Sequence, residues 1–177
     1  MTRSPFNPSG YFHTLAGLLV RPAAVFEALA DSPGIRSPLV FLAVSALFSG
    51  AAATTTAPYA RPMIAGTVFV VNDLGMPLMA AGLAYLAMVA IVGRRVRFGT
   101  LLAIHALASG VTLLISWVPV FVVVSEPWKW WLVWTGLRSG GRLGRWAALA
   151  IVGLSIGVLI LLFHIVIPWL QTVQRPA

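Results

Sequence analysis

Two histidines, His105 and His164, stand inside long apolar runs of the chain. A pair of intramembrane histidines can hold a haem b between two helices, so these are the first side chains to test for chemistry. Depth decides the test. His105 lies about 7 residues, roughly 10 Å, into its run, and His164 about 18 residues, roughly 27 Å, into its own. If both helices cross in the same direction, the two rings lie near opposite faces and cannot share one iron. A topology in which the last helix reverses would bring the depths together. The expectation is that no cofactor is held, and that each ring hydrogen-bonds inside the bundle or at an interface.

The acids are few: Glu27, Asp31, Asp73 and Glu126. Asp73, in Val71-Asn72-Asp73-Leu74-Gly75-Met76-Pro77, could mark a broken helix that coordinates an ion or proton, as in transporters. The simpler expectation is a cap, its side-chain oxygen satisfying free amides at the start of a span. Trp128, Trp130, Trp131 and Trp134 read first as an interfacial aromatic belt, and only second as a quinone or headgroup contact. There is no cysteine, which excludes thiolate zinc sites, iron–sulfur clusters, disulfides and thiol nucleophiles. No Ser/His/Asp grouping, HExxH, Walker loop or GxGxxG is present, so hydrolytic and nucleotide chemistry have no support.

The elements that would position these groups follow from charge and hydropathy. Only 9% of the chain is charged, against about a quarter in an average soluble protein, and several apolar runs are long enough to span a bilayer. The class is an all-α, polytopic transmembrane helix bundle. The net charge is +8. Its arginines sit at the ends of apolar runs rather than on one continuous face, which is the pattern of topology signals and not of nucleic-acid binding. Arginine far outnumbers lysine, which hints at a bacterial origin. No cleavable signal is evident, because Leu15–Val20 is too short and is cut by Arg21-Pro22.

In chain order, residues 1–10 read as a tail and 11–36 as amphipathic interfacial helices divided at Arg21-Pro22. A cap packed on the end of the bundle is the alternative for that region. Residues 37–170 read as a five-span transmembrane domain, and 171–177 as a C-terminal tail. The spans are expected at Pro38–Ala57, at Leu74–Gly93 after a connection over Pro58–Asp73, and in the uncharged stretch Phe98–Val124. A short Trp-rich segment, Trp128–Leu137, and Trp146–Leu170 complete the set. By length the Trp-rich segment is too short unless it takes residues beyond Pro119. Arginine placement favours five spans. Arg3, Arg21, Arg36, Arg94, Arg95, Arg97, Arg138, Arg142 and Arg145 then share one side, which makes the N-terminus cytoplasmic and the C-terminus external.

The segment order is similar to that of the Yip domain family, the Ypt-interacting multi-span membrane proteins. The likeness is carried by Arg21-Pro22-Ala23-Ala24-Val25-Phe26-Glu27-Ala28-Leu29 before a proline-started span and by Arg97-Phe98-Gly99-Thr100-Leu101-Leu102-Ala103-Ile104. The strongest local match runs from Trp134-Thr135-Gly136-Leu137 to Arg145-Trp146-Ala147-Ala148. The resemblance covers about residues 11–170 and implies five spans and no enzymatic activity. Eukaryotic members are tied to vesicle traffic and Rab-type GTPases. This chain lacks their long cytoplasmic N-terminal region, so a GTPase partner is not expected.

The functional expectation is a non-catalytic protein of a bacterial inner membrane. It would act by contact with the bilayer, with other membrane proteins or with a second copy, as a free protein or an accessory subunit. The alternatives are a haem- or quinone-binding redox subunit and a small transporter. The expected contact face is Ser45, Ser49, Ala52 and Thr56, which recur at three- or four-residue steps on the first span, where small residues allow close helix approach. The same face could instead pack against the protein's own helices.

Overall fold

The structure, a computed structural model, describes residues 8–31, 34–56 and 58–173. Every regular element among them is helical: α1 Pro8–Val20, α2 Pro22–Asp31, α3 Arg36–Ala53, α4 Pro62–Val92, α5 Phe98–Ser116, a 3-10 turn Pro119–Phe121, α6 Val122–Ser139 and α7 Arg145–Val173. Most of the expected N-terminal tail, the C-terminal tail beyond Val173, Ala57 at the expected end of the first span, and Arg3 and Arg175 lie outside the described residues.

The break at Arg21-Pro22 is observed, and Pro22 opens α2, where its missing N–H costs nothing. Both short helices pack on the bundle. Leu18 of α1 and Phe26 and Leu29 of α2 are buried, whereas Phe12, Leu19 and Val20 face outward. The docking of α2 depends on two glycines of α6. A Cβ on Gly136 would stand 3.2 Å from the Phe26 ring, and one on Gly140 would stand 2.8 Å from the Phe26 carbonyl oxygen. The four-residue spacing puts both on one face, and the absent side chains let the two backbones approach.

Helix α5 is the axis of the bundle. Its run from Leu101 to Thr112 is buried without interruption, because α3, α4 and α6 all pack on it. Ile35, just before α3, lies 4.0 Å from where a Cβ on Gly99 would be, and Phe41 and Leu42 pack against Gly110. Residue numbers rise together, so α3 and α5 run parallel. Gly136 of α6 meets Ile104, while Trp130 and Val133 meet His105 and Ser109. There the numbers run oppositely, so α6 returns antiparallel along α5.

Two span boundaries differ from expectation. Helix α4 begins at Pro62, so the expected connection over Pro58–Asp73 is for the most part helix. The uncharged stretch Phe98–Val124 is not one span. It breaks after Ser116, and its last residues, Val122–Val124, begin α6. This supplies the length the Trp-rich segment lacked, and α6 runs 18 residues, about 27 Å. Four helices, α3, α4, α5 and α7, are long and apolar enough to cross a membrane by composition. Helix α6 carries Glu126, Lys129 and Arg138 and enters the bundle through its packing.

The crossing of α3 and α4 is made by glycine. A Cβ on Gly50 would sit 2.6 Å from Val70 and 3.1 Å from the Gly66 carbonyl oxygen. Such backbone proximity is what drives helix association where no water is expelled. Leu42 is buried, because α5 covers that side of α3 at Gly110.

Candidate functional site

Three polar regions interrupt the apolar bundle. The first is its basic end. Antiparallel pairing of α5 and α6 brings Arg138, Arg142 and Arg145 to the end where Arg94, Arg95 and Arg97 precede α5. Arg36 starts α3 at that same end, and Arg21 joins α1 to α2 there. All eight guanidinium side chains are exposed. Arg142 Nη2 donates to Asp31 Oδ1 at 3.0 Å, tying the end of α2 to the α6–α7 connection. Two open grooves of about 570 and 500 Å3 lie between α2 and that connection. Glu27, Arg138, Ser139 and Leu143 line both. Indole rings steady the cations: the Arg138 guanidinium lies 4.8 Å from the Trp134 ring centre and that of Arg145 5.2 Å from Trp146. Such stacking contributes about 0.5–1 kcal/mol at exposed sites.

The tryptophans therefore do not share one face of α6. Trp134 belongs to the basic end, and its Nε1 donates to the Arg145 carbonyl oxygen at 3.4 Å. Trp131 is exposed, and Trp130 turns inward to line a chamber beside His105. A helix spreads residues 128–134 over all its faces, so clustering in sequence is not clustering on one face.

The second region joins α3 to α4. Asp73 is not a cap: it lies about 11 residues inside α4, with the Ser49 side chain beside its carboxyl. Its Oδ2 is buried without a partner. Ser45, one turn earlier on α3, meets the Tyr11 hydroxyl at 3.0 Å, and the Tyr11 ring lies 4.8 Å from that of Phe41. The expected contact face is thus divided. Ser45 and Ser49 are buried against α1 and α4, Ala52 is half-buried, and only Thr56 is exposed. The two serines serve packing within the molecule.

The third region surrounds His105, which is 2% exposed. Its Nδ1–H donates to the Leu101 carbonyl oxygen at 2.9 Å, and its Nε2 is buried with no partner. Beside it is a chamber of about 30 Å3, lined by Ser109, Lys129, Trp130 and Val133 among others. A wider cleft of about 690 Å3 between α4, α6 and α7 shares Met76, Lys129, Trp130 and Leu159 with the chamber and carries His164 at its far end. His105 stands about 7 residues into α5 and His164 about 19 into α7, roughly 10 and 28 Å from the two helix starts. The structure brings the rings to one side of the bundle but not to one depth. Glu126 and Lys129 pair at 2.6 Å on the rim of that cleft. Sequence reading missed Lys129 as a site residue; its position three residues after Glu126 on a helix was the available signal.

Among the described residues, no three His, Cys, Asp or Glu side chains gather as metal ligands. The family model described as the Yip1 domain matches residues 16–167. No curated protein and no solved structure matches the chain.

Proposed function

The chain belongs to the Yip1 domain family, and from that premise we propose that it is a non-catalytic, five-pass integral membrane protein whose work is contact with other membrane proteins and lipids. One observation carries this reading. The fold gathers eight exposed arginines, together with the docked pair α1–α2, on a single end of the bundle. Arginine-rich segments stay on the cytoplasmic side, where anionic headgroups attract them. On this reading the N-terminus and the α6–α7 connection face the cytoplasm, α6 crosses together with α3, α4, α5 and α7, and the C-terminus is outside. In a bacterial cell the membrane is the inner one.

The basic end is built for docking rather than turnover. Its grooves are open and lined by cations and a few acids. Among the described residues there, no nucleophile is held against a base. Contact surface is plentiful elsewhere too: α4 and α7 bury only 28% of their apolar windows, leaving long faces for lipid or neighbouring helices. A scaffold or accessory role follows from such a surface, and a shared haem does not follow from two histidines at different depths.

The test is to crosslink the protein in its native membrane and compare it with the Arg138→Gln/Arg142→Gln/Arg145→Gln variant at equal expression. The reading expects a defined set of crosslinked membrane proteins or anionic lipids that the variant loses. An identical crosslinking pattern in both would refute contact at the basic end.

A further inference from the structure

His105 lies outside the basic end, and its surroundings resemble a ligand site. Because Nδ1–H is committed to the Leu101 carbonyl oxygen, the neutral ring offers Nε2 as an acceptor only. That atom is buried and unpartnered, and leaving a buried acceptor unpaired is costly. Its natural complement is a hydroxyl donor. The nearest cation does not fill the role: Lys129 pairs with Glu126 at 2.6 Å and makes no hydrogen bond to Nε2.

Size narrows the ligand. The chamber of about 30 Å3 has room for a water or a hydroxyl group but not for the body of a lipid. Depth narrows it again. His105 is roughly 10 Å from one end of α5 and further from the other, so a charged headgroup would have to leave the interface to reach it. The body of the ligand has its own place. The adjoining cleft of about 690 Å3 is walled by Ile156, Leu159, Ile160 and Phe163, within the range of small-molecule sites, which are apolar with a few placed polar groups.

We propose that the cleft between α4, α6 and α7 binds one neutral lipid alcohol, its hydroxyl donating to His105 Nε2 in the chamber and its hydrocarbon body lying along α7. A diacylglycerol and a polyprenol share this chemistry, and no redox or covalent step is involved.

The experiment uses the full chain in phosphatidylcholine nanodiscs and a long-chain primary alcohol bearing a diazirine in its chain. Labelled residues are mapped by mass spectrometry, with diacylglycerol, a polyprenol or triacylglycerol as competitors. Labelling is expected on α7 around Ile156–Phe163, suppressed by diacylglycerol or by the polyprenol, whichever is the better occupant, and unaffected by triacylglycerol, which has no hydroxyl. His105→Leu should weaken labelling about tenfold, the loss of one hydrogen bond's worth of affinity. Ile160→Trp blocks the cleft from an exposed position, 65% accessible, and should do the same while melting like the wild type. Undiminished labelling in both variants, or equal competition by triacylglycerol, would overturn the proposal and leave the chamber to a single water.

Discussion

Asp31 and Arg142, 111 residues apart in the chain, meet at 3.0 Å where α2 ends and α6 gives way to α7. Both side chains are about three-quarters exposed, so the pair contributes less than about 1 kcal/mol. Among the described residues Arg142 is also the one non-glycine residue with positive φ, at 50°, a left-handed conformation that favours glycine. Arg142→Gly should therefore stay within about 1 kcal/mol of the wild type, the relieved backbone offsetting the lost pair. Arg142→Val, β-branched at that φ, should cost more than Arg142→Gly in chemical denaturation from detergent. The reverse order would mean that the ion pair, and not the turn, fixes this connection.

What holds α2 on the bundle is Phe26 and not the ion pair. Phe26 is fully buried between Gly136 and Gly140. Phe26→Ala should cost about 3–5 kcal/mol. Gly140→Leu should detach α2 without unfolding the rest, read as new proteolytic cleavage near residue 31 while the α3–α7 core still melts cooperatively. Resistance equal to the wild type would show that α2 is held by something else.

Close helix packing at two glycines makes a second pair of expectations. A methyl group at Gly110 would fall 2.7 Å from the Phe41 ring, and one at Gly50 would fall 2.6 Å from Val70. Gly110→Ala and Gly50→Ala should each destabilise by about 1–3 kcal/mol through overpacking. At Gly75, Gly82 and Gly153 nothing lies within 4 Å. There the same substitution should be neutral or stabilising by up to about 1 kcal/mol, since alanine is the better helix former. A thermal-shift series across the five variants checks the contrast.

The fold class and most helix ends were legible in the sequence, because span length, Arg21-Pro22 and the arginine clusters act locally. The errors share one cause. Pro77 and the polar pair Asn72-Asp73 look like a boundary, which in sequence puts Asp73 at a helix start. Yet Pro62 opens α4 earlier, and the bundle tolerates Pro77 inside it. Where a helix begins within continuous apolar sequence is set by what packs beside it, here Gly50 against Gly66. Likewise the small-residue stripe Ser45, Ser49, Ala52 and Thr56 announced close packing but not its partner. That partner is Tyr11, distant in sequence, and Asp73. The His105 chamber was invisible for the same reason, since it needs α4, α5, α6 and α7 together.

The Ser49–Asp73 contact offers a direct check on that correction. Asp73→Asn keeps a hydrogen-bonding group facing Ser49 and should change stability little. Ser49→Ala removes the hydroxyl beside the half-buried Asp73 carboxyl, whose Oδ2 already lacks a partner, and should cost about 1–2 kcal/mol. Were Asp73 a helix cap, Ser49→Ala would be silent, and denaturation of the two single variants distinguishes the cases.

The claim that the eight arginines mark one cytoplasmic end, with α6 as a true crossing, is tested most directly by paired reporters. A reporter that works only in the cytoplasm is fused once within the α6–α7 connection, after Gly141, and once after Ala177. The account predicts activity at the first site and none at the second. Activity at the C-terminus with none in the connection would mean that α6 does not cross as read, that Arg138, Arg142 and Arg145 face away from Arg94, Arg95 and Arg97, and that the single basic end does not exist in the membrane.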